Sequence, residues 1–391
     1  MEAVRADRAF DGERDVAGGA LVLFDGGRIV AVEPGAAPAP DGVPVVHLPG
    51  TTVLPGLVDA HVHLCGDGGP DALTRVPAQT AAEREEVVAA ALRAHLRAGV
   101  TTVRDLGDHH WAVLERAAGG PRAGEPRVLA SGPPVTTQGG HCWSMGGQAG
   151  GPRQLADAVR ERVERGADVV KVMVSGGSMT PGSDLLALQF DAEEVGLLVR
   201  LAHAAGLPVT AHAHSVAAVE VSLAAGVDGI EHCTCLTAAG LAAPGPLFRE
   251  LAAAGTWVCP TLGRAPGAEP SPQALAVAAR TGWSVAGRIA QVGRLAAAGA
   301  RIVSGSDAGI HPGKPHGVVP WAVAELVAGG VEPRAALASA TSAAADACGL
   351  GAVTGRLRPG LSADLLLVDG DPTTRITDLA RVRRVVVRGA S

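Results

Sequence analysis

A chain of 391 residues with 47% hydrophobic and 18% charged residues can build a large core, which excludes a disordered protein. A net charge of −6 and the lack of any basic run exclude a general attraction to nucleic acid. No apolar run is long enough for a bilayer, no signal-peptide core opens the chain, and six scattered cysteines do not make a disulfide framework; a cytoplasmic protein is expected.

The first 55 residues read as short strands and turns. ALVLFDGGRIVAVEPG (20–35) has apolar runs broken by Asp-Gly-Gly, a hairpin signal, and PVVHLPGTTVLPG (44–56) continues in that style. The middle of the chain alternates two kinds of segment. Strands are predicted at 58–64, 100–107, 127–135, 168–175, 208–214, 229–233, 256–262 and 301–307. Helix-like stretches include 81–99, 153–166, 215–226, 321–330 and 332–349, whereas 263–273 is loop and the helix boundaries up to residue 300 are not legible. Eight strands alternating with helical segments predict an α/β protein built on a (β/α)₈ TIM-type barrel over 56–354. The segments GRLRPGLSADLLLVDGD (355–371) and VRRVVVRG (382–389) return to strands and turns. Residues 1–55 and 355–391 are therefore expected to form one β-sandwich domain, since neither end could bury a core alone.

Ligand-type residues fall at the ends of the predicted strands. His61 and His63 are two apart, which puts both side chains on one face of a strand. Two imidazoles so placed can chelate a cation, although such a pair alone is a weak signal and is more often satisfied by backbone hydrogen bonds. Lys171 lies inside an apolar strand between Val170 and Val172, where an ammonium is unfavourable unless it snorkels or pairs. His212 and His214 end the fifth strand, His232 the sixth and Asp307 the eighth. Each alone has a bland explanation. Jointly they converge on the C-terminal face, where barrels carry catalysis.

VLPGLVDAHVHL (53–64), VVKVMVSGG (169–177), TAHAHS (210–215), GIEHC (229–233), SGSDAG (304–309) and PGLSADLLLVD (359–369) occur in one order along nearly the whole chain. In these motifs the chain resembles the amidohydrolase superfamily, in particular its imidazolonepropionase-like and Xaa-Pro dipeptidase (prolidase-like) branch. The resemblance implies that His61, His63 and Asp307 hold one divalent metal and His212 and His232 a second. It implies that Lys171, carboxylated by CO₂, bridges the two ions. Zinc is expected, with manganese, iron or cobalt as alternatives. A hydroxide bridging the metals would attack the substrate, and Asp307 would pass its proton to the leaving nitrogen. His141, in TTQGGHCW (136–143), resembles a histidine that polarises the substrate carbonyl; a loop histidine without a role is the plain alternative. His214 stands where some prolidase-like members have tyrosine, and this chain has no tyrosine at all. It is a candidate hydrogen-bond donor to an oxyanion, or a pocket-lining residue.

The reaction implied is hydrolysis of a C–N bond in an amide, a cyclic amide, an N-acyl amino acid or a dipeptide. A mononuclear deaminase and a lactone or ester hydrolase of the same superfamily remain alternatives, and a ligand-depleted scaffold is disfavoured because all six metal positions are filled. The expected partner is a small-molecule substrate, with a homo-oligomer implied by the resemblance. His109, His110, His311 and His316 receive no role, although His311 and His316 follow the eighth strand closely enough to reach substrate. Trp143 and Trp321 are candidates for a pocket wall, with core packing as the alternative.

Overall fold

The computed structural model describes every residue except Ala243, Ser271 and Ser391. Ser271, in the predicted loop 263–273, and Ser391, closing the predicted terminal segment, lie outside the described residues. The chain opens with β1 (Glu2–Phe10), β2 (Asp15–Val16), β3 (Ala20–Asp25), β4 (Arg28–Pro34) and β5 (Val45–Pro55). Its middle carries β6 (Leu57–Val62), β7 (Val100–Asp105), β8 (Arg127–Ala130), β9 (Val170–Met173) and β10 (Val209–Ser215). β11 (Gly229–Thr237), β12 (Gly240–Leu241), β13 (Trp257–Cys259) and β14 (Arg301–Ile302) follow, and β15 (Leu365–Asp369) and β16 (Val382–Val386) close the chain.

Strands from both chain ends share one sheet, in the order β16-β15-β5-β1-β3-β4, with β2 paired to β1. The Asp-Gly-Gly signal becomes the β3–β4 hairpin: Asp25 pairs with Arg28 across Gly26 and Gly27, both at positive φ as such a tight loop requires. Period-two alternation sorts the side chains of β15. Leu365 and Leu367 pack with Val4, Val22 and Phe24, whereas Leu366 and Val368 join the large core around β6 and β7.

The middle strands are parallel, as βα repeats demand. They form a three-stranded sheet, β6-β7-β8, and a larger one ordered β14-β13-β11-β10-β9, to which β12 adds antiparallel. Backbone hydrogen bonds join the two sheets at both edges. On one side Val135 N–H donates to Lys171 O (2.8 Å) and Met173 N–H to Val135 O (2.9 Å). On the other, Ala60 N–H donates to Ser304 O (3.0 Å), Asp307 N–H to His61 O (2.7 Å) and His63 N–H to Ala308 O (2.9 Å). The predicted eighth strand, 301–307, is regular only over Arg301–Ile302. Beyond it the chain passes so close to β6 that a Cβ on Gly305 would lie 2.7 Å from the His61 backbone nitrogen, and Asp307 then turns into left-handed backbone at φ 58°.

The helical stretches appear as Ala81–Arg97, Gly151–Arg165, Val216–Ala225 and Val319–Ala328. Ala81–Arg97 starts with a capping box between Thr80 and Glu83. The predicted helix 332–349 is a pair, Pro333–Ser339 and Ser342–Ala347. It breaks because Ser339 O and Ala340 O accept from Ser304 N–H (2.7 Å) and Val58 N–H (2.8 Å) at the sheets. The stretch left open before residue 300 holds helices Pro272–Thr281 and Val285–Ala297. No helix among the described residues is long and apolar enough to cross a membrane.

Candidate metal centre

The C-terminal ends of the parallel strands deliver the candidate residues to one cavity of ≈ 220 Å³. β6 carries His61, with His63 just past its end; β9 carries Lys171; β10 carries His212 and His214; β11 carries His232. Asp307 follows β14, and His141 comes from the loop after β8. All eight side chains line the cavity. The imidazoles form a continuous cluster, with ring centroids 5.3 Å apart for His61–His63 and His61–His232, 4.5 Å for His212–His232 and 4.7 Å for His141–His212.

His61, His63 and Asp307 make one group, in which Asp307 Oδ1 lies 3.4 Å from His61 Nε2 and 3.2 Å from His63 Nε2. The remaining ring nitrogens are occupied: His61 Nδ1 meets Glu231 Oε2 at 2.7 Å, and His63 Nδ1 donates to Gly107 O at 3.2 Å. Both Nε2 atoms are thereby directed at Asp307. Burial opposes ionisation of Asp307, but the His63 hydrogen bond and the neighbouring His61, His63 and Lys314 hold its carboxyl below the usual range. Burial, aided by Lys171, pushes the His61 imidazole down to about 4. It is therefore a neutral ring able to offer a lone pair at neutral pH.

His212, His232 and His214 make the second group. His212 Nε2 donates to Gly176 O (3.1 Å), leaving Nδ1 toward the centre, and His232 Nδ1 meets Thr261 Oγ1 (2.8 Å), leaving Nε2. His214 Nδ1 meets Thr234 Oγ1 at 2.9 Å, and its ring stacks on His232. The structure thus seats His214 beside the two histidines of the second group. Burial holds all three rings below the ordinary histidine value, His214 at about 4.

Lys171 is 1% exposed, and its Nζ is a buried polar atom without a hydrogen-bond partner. Burial lowers its pKa, opposed by Glu231 and Asp307. An orphaned amine in a cavity lined by these five histidines, each with one nitrogen already tied to an acceptor or hydroxyl, fits a site for one or two divalent cations. His141 sits at the rim of this group, its Nδ1 2.9 Å from Thr180 Oγ1, and burial takes it down to about 3. Opposite the ring, a Cβ on Gly177 would meet His141 Nε2 at 2.3 Å, so only glycine leaves the ring its place.

Other histidines go elsewhere. His109 and His110 pack on each other at 3.9 Å, and His203 bonds exposed Asp228. His316 bonds Gly66 O and His95, whereas His311 does line the cavity. Trp143 is exposed and Trp321 packs on the main core; the tryptophan lining the cavity is Trp283.

Sequence reasoning missed Glu231 and Arg104. Glu231 binds His61 through one oxygen and, through the other, accepts from Arg104 Nη2 (3.1 Å) and Thr210 Oγ1 (2.6 Å). Its carboxyl is held below the ordinary range, against burial, by His61, Arg104 and Lys171. A weaker signal was present: both residues are charged and lie inside strands, Arg104 after Val103 in VTTVRD and Glu231 after Ile230 in GIEHC, though among more polar neighbours than Lys171.

The amidohydrolase family model matches residues 52–391 of the chain. Imidazolonepropionase from Streptomyces griseus subsp. griseus is 30% identical over 379 residues, covering 90% of this chain and 85% of that protein. Ochratoxinase from Aspergillus niger is 29% identical over 210 residues, 46% of this chain and only 43% of that protein, so the match spans less than half of that relative's length. A crystal structure of a Xaa-Pro dipeptidase with methionine bound in its active site is similar over 100% of this chain and 98% of that one, at 26% identity and a TM-score of 0.84.

Proposed function

The chain belongs to the amidohydrolase family, and on that premise we propose that it is a metal-dependent hydrolase cleaving a C–N bond in a small amide, cyclic amide or N-acyl amino acid. The frame of this reading is a (β/α)₈ barrel over residues 56–354, with 1–55 and 355–391 as a second, sandwich-like domain. The hydrogen bonds joining the two parallel sheets at both edges support the barrel, and the sheet shared by both chain ends supports the second domain.

The observation that carries the function is the orphaned Lys171 Nζ, buried in the cavity that the histidines line together with the Asp307 carboxylate, burial holding His61, His212, His214 and His232 below the ordinary histidine value. In this reading His61, His63 and Asp307 would hold one divalent ion, His212 and His232 another, and Lys171, as its carbamate, would serve both. Forming the carbamate joins the neutral amine nitrogen to the carbon of CO₂ and releases a proton, and burial favours the neutral amine it requires. Bound divalent ions, zinc foremost, supply a lowered water pKa and polarisation of the scissile carbonyl.

The chain's own residues do the rest. Asp307, anionic and fixed by two imidazoles, accepts a proton from the attacking water and returns it to the leaving nitrogen. Thr180 Oγ1 accepts from Cys142 N–H (3.0 Å) and keeps its hydroxyl hydrogen to donate to His141 Nδ1; in this reading Nε2 carries the ring proton. His141 is then a neutral donor to a carbonyl oxygen. His214 is a second donor, or a further ligand of the group it shares. Leu236, Val277, Trp283, Ile289 and Ile310 make the outer wall apolar, which suits a substrate with an uncharged body.

The relatives are named for different substrates, so a panel decides among them. Metal-loaded protein offered N-acyl amino acids, dipeptides, cyclic amides and lactones is expected to turn over at least one amide faster than any lactone. Turnover of lactones alone, or of none of the four, would overturn this function.

A further inference from the structure

Four non-glycine residues at the site are in left-handed backbone: His232 (φ 63°) and Cys233 (φ 49°) within β11, Thr261 (φ 49°) just past β13 and Asp307 (φ 58°) beyond β14. Such turns cost conformational energy and aim carbonyl oxygens away from the strand ladders, so something must hold them. Two buried cations outside the proposed ligand set do this. Arg288, from helix Val285–Ala297, donates through Nη2 to His232 O and to Pro260 O (3.2 Å), and through Nη1 to Cys233 O (3.2 Å) and Gln291 Oε1 (2.5 Å). Lys314, from the loop after β14, donates to Thr261 O (2.6 Å), Leu262 O (3.1 Å) and Ser306 O (3.0 Å). Among the described residues neither cation is ion-paired to a carboxylate.

The acceptors fall in a row. Arg288 joins the His232 turn to Pro260, Lys314 joins Thr261 and Leu262 to Ser306, and Ser306 precedes Asp307. The segment 260–262, just past β13, supplies no proposed ligand, yet both cations grip it. It also carries the Thr261 hydroxyl beside His232 Nδ1.

From this arrangement we infer that Arg288 and Lys314 are positioning residues, a two-cation belt that runs through residues 260–262 and sets His232 and Asp307, ligands of opposite halves of the centre, in mutual register. The inference rests on the metal reading above. It explains how an ammonium and a guanidinium are buried without a directly paired carboxylate: three or more carbonyl oxygens around each replace the water that was lost. A neutral side chain could not gather as many.

The test is cobalt binding by metal-free protein, followed by its visible absorption spectrum and by chelator competition, in the wild type and in Lys314→Met, Lys314→Arg and Arg288→Met. Folding is checked by circular dichroism. The belt requires a rise in the cobalt dissociation constant of about ten- to a hundredfold in both methionine variants, as for other residues that orient ligands. Lys314→Arg, which keeps a cation and its donors, is expected to lie nearer the wild type. If Lys314→Met does not fold, Arg288→Met and Lys314→Arg still decide the matter. Folded methionine variants with unchanged cobalt affinity and spectrum would refute the belt alone. A wild-type protein that binds no cobalt would refute the metal reading itself.

Discussion

His61 is steadied by an ionised carboxylate, whereas His212, His214 and His232 are steadied by a carbonyl oxygen and two threonine hydroxyls. Behind His61 stands a charged network, Glu231 with Arg104 and Thr210, buried beneath the cavity. Behind the second group, among the described residues, nothing charged touches a ring nitrogen: Gly176 O, Thr234 and Thr261 are neutral. A carboxylate on the far nitrogen makes an imidazole a more basic ligand and fixes its ring, and charge-assisted hydrogen bonds are about twice as strong as neutral ones. On the two-ion reading proposed above, the two halves would differ in grip: the His61 half would keep its ion and the His232 half would exchange it.

Substitutions can break that contrast or sharpen it. The largest effect is expected at Lys171, which the account places between the halves. Lys171→Ala should abolish turnover, and short carboxylic acids added to the variant should restore part of it; full activity in the alanine variant removes the bridge from the account. Asp307→Asn comes next, with a loss of about 10²–10⁴ in turnover, the usual contribution of a positioned acid or base. Near-wild-type turnover in that variant, with metal content intact, dismisses Asp307 as proton carrier.

The two substitutions that bear directly on the comparison are smaller. Glu231→Gln should weaken metal binding at the His61 half by about ten- to a hundredfold. Thr261→Val removes one neutral hydrogen bond from the other half and should cost about two- to tenfold, in line with ~0.5–1.5 kcal/mol for such a bond. Chelator competition on both variants reads the difference. Equal losses, or a larger one at Thr261, would mean that charge behind the ligand is not what separates the halves.

The parts legible in the sequence were those written in side-chain chemistry. Paired histidines at a spacing of two and a lysine between two valines announced themselves, because a strand fixes where alternate residues point and a buried ammonium needs a reason. Glu231 and Arg104 carried a fainter signal, charge inside strands that also hold polar neighbours, and only His232 was read from GIEHC. Arg288 and Lys314 could not have been found that way. Their partners are backbone carbonyls, which leave no mark in the sequence, and the turns that expose those carbonyls occur at non-glycine residues. The fold divides similarly. The hairpin at Gly26–Gly27 was plain from its turn residues, whereas the break between Ser339 and Ser342 comes from distant strands taking helix carbonyls, a tertiary effect that periodicity does not carry.

The most direct test of an unequal two-ion centre is elemental analysis of protein purified without chelator, repeated during dialysis against a mild chelator. The account requires two divalent ions per chain, one leaving well before the other, with the retained ion lost early only when Glu231 is replaced by glutamine. Folded protein with no stoichiometric metal, or two ions that leave together in the wild type, would contradict it.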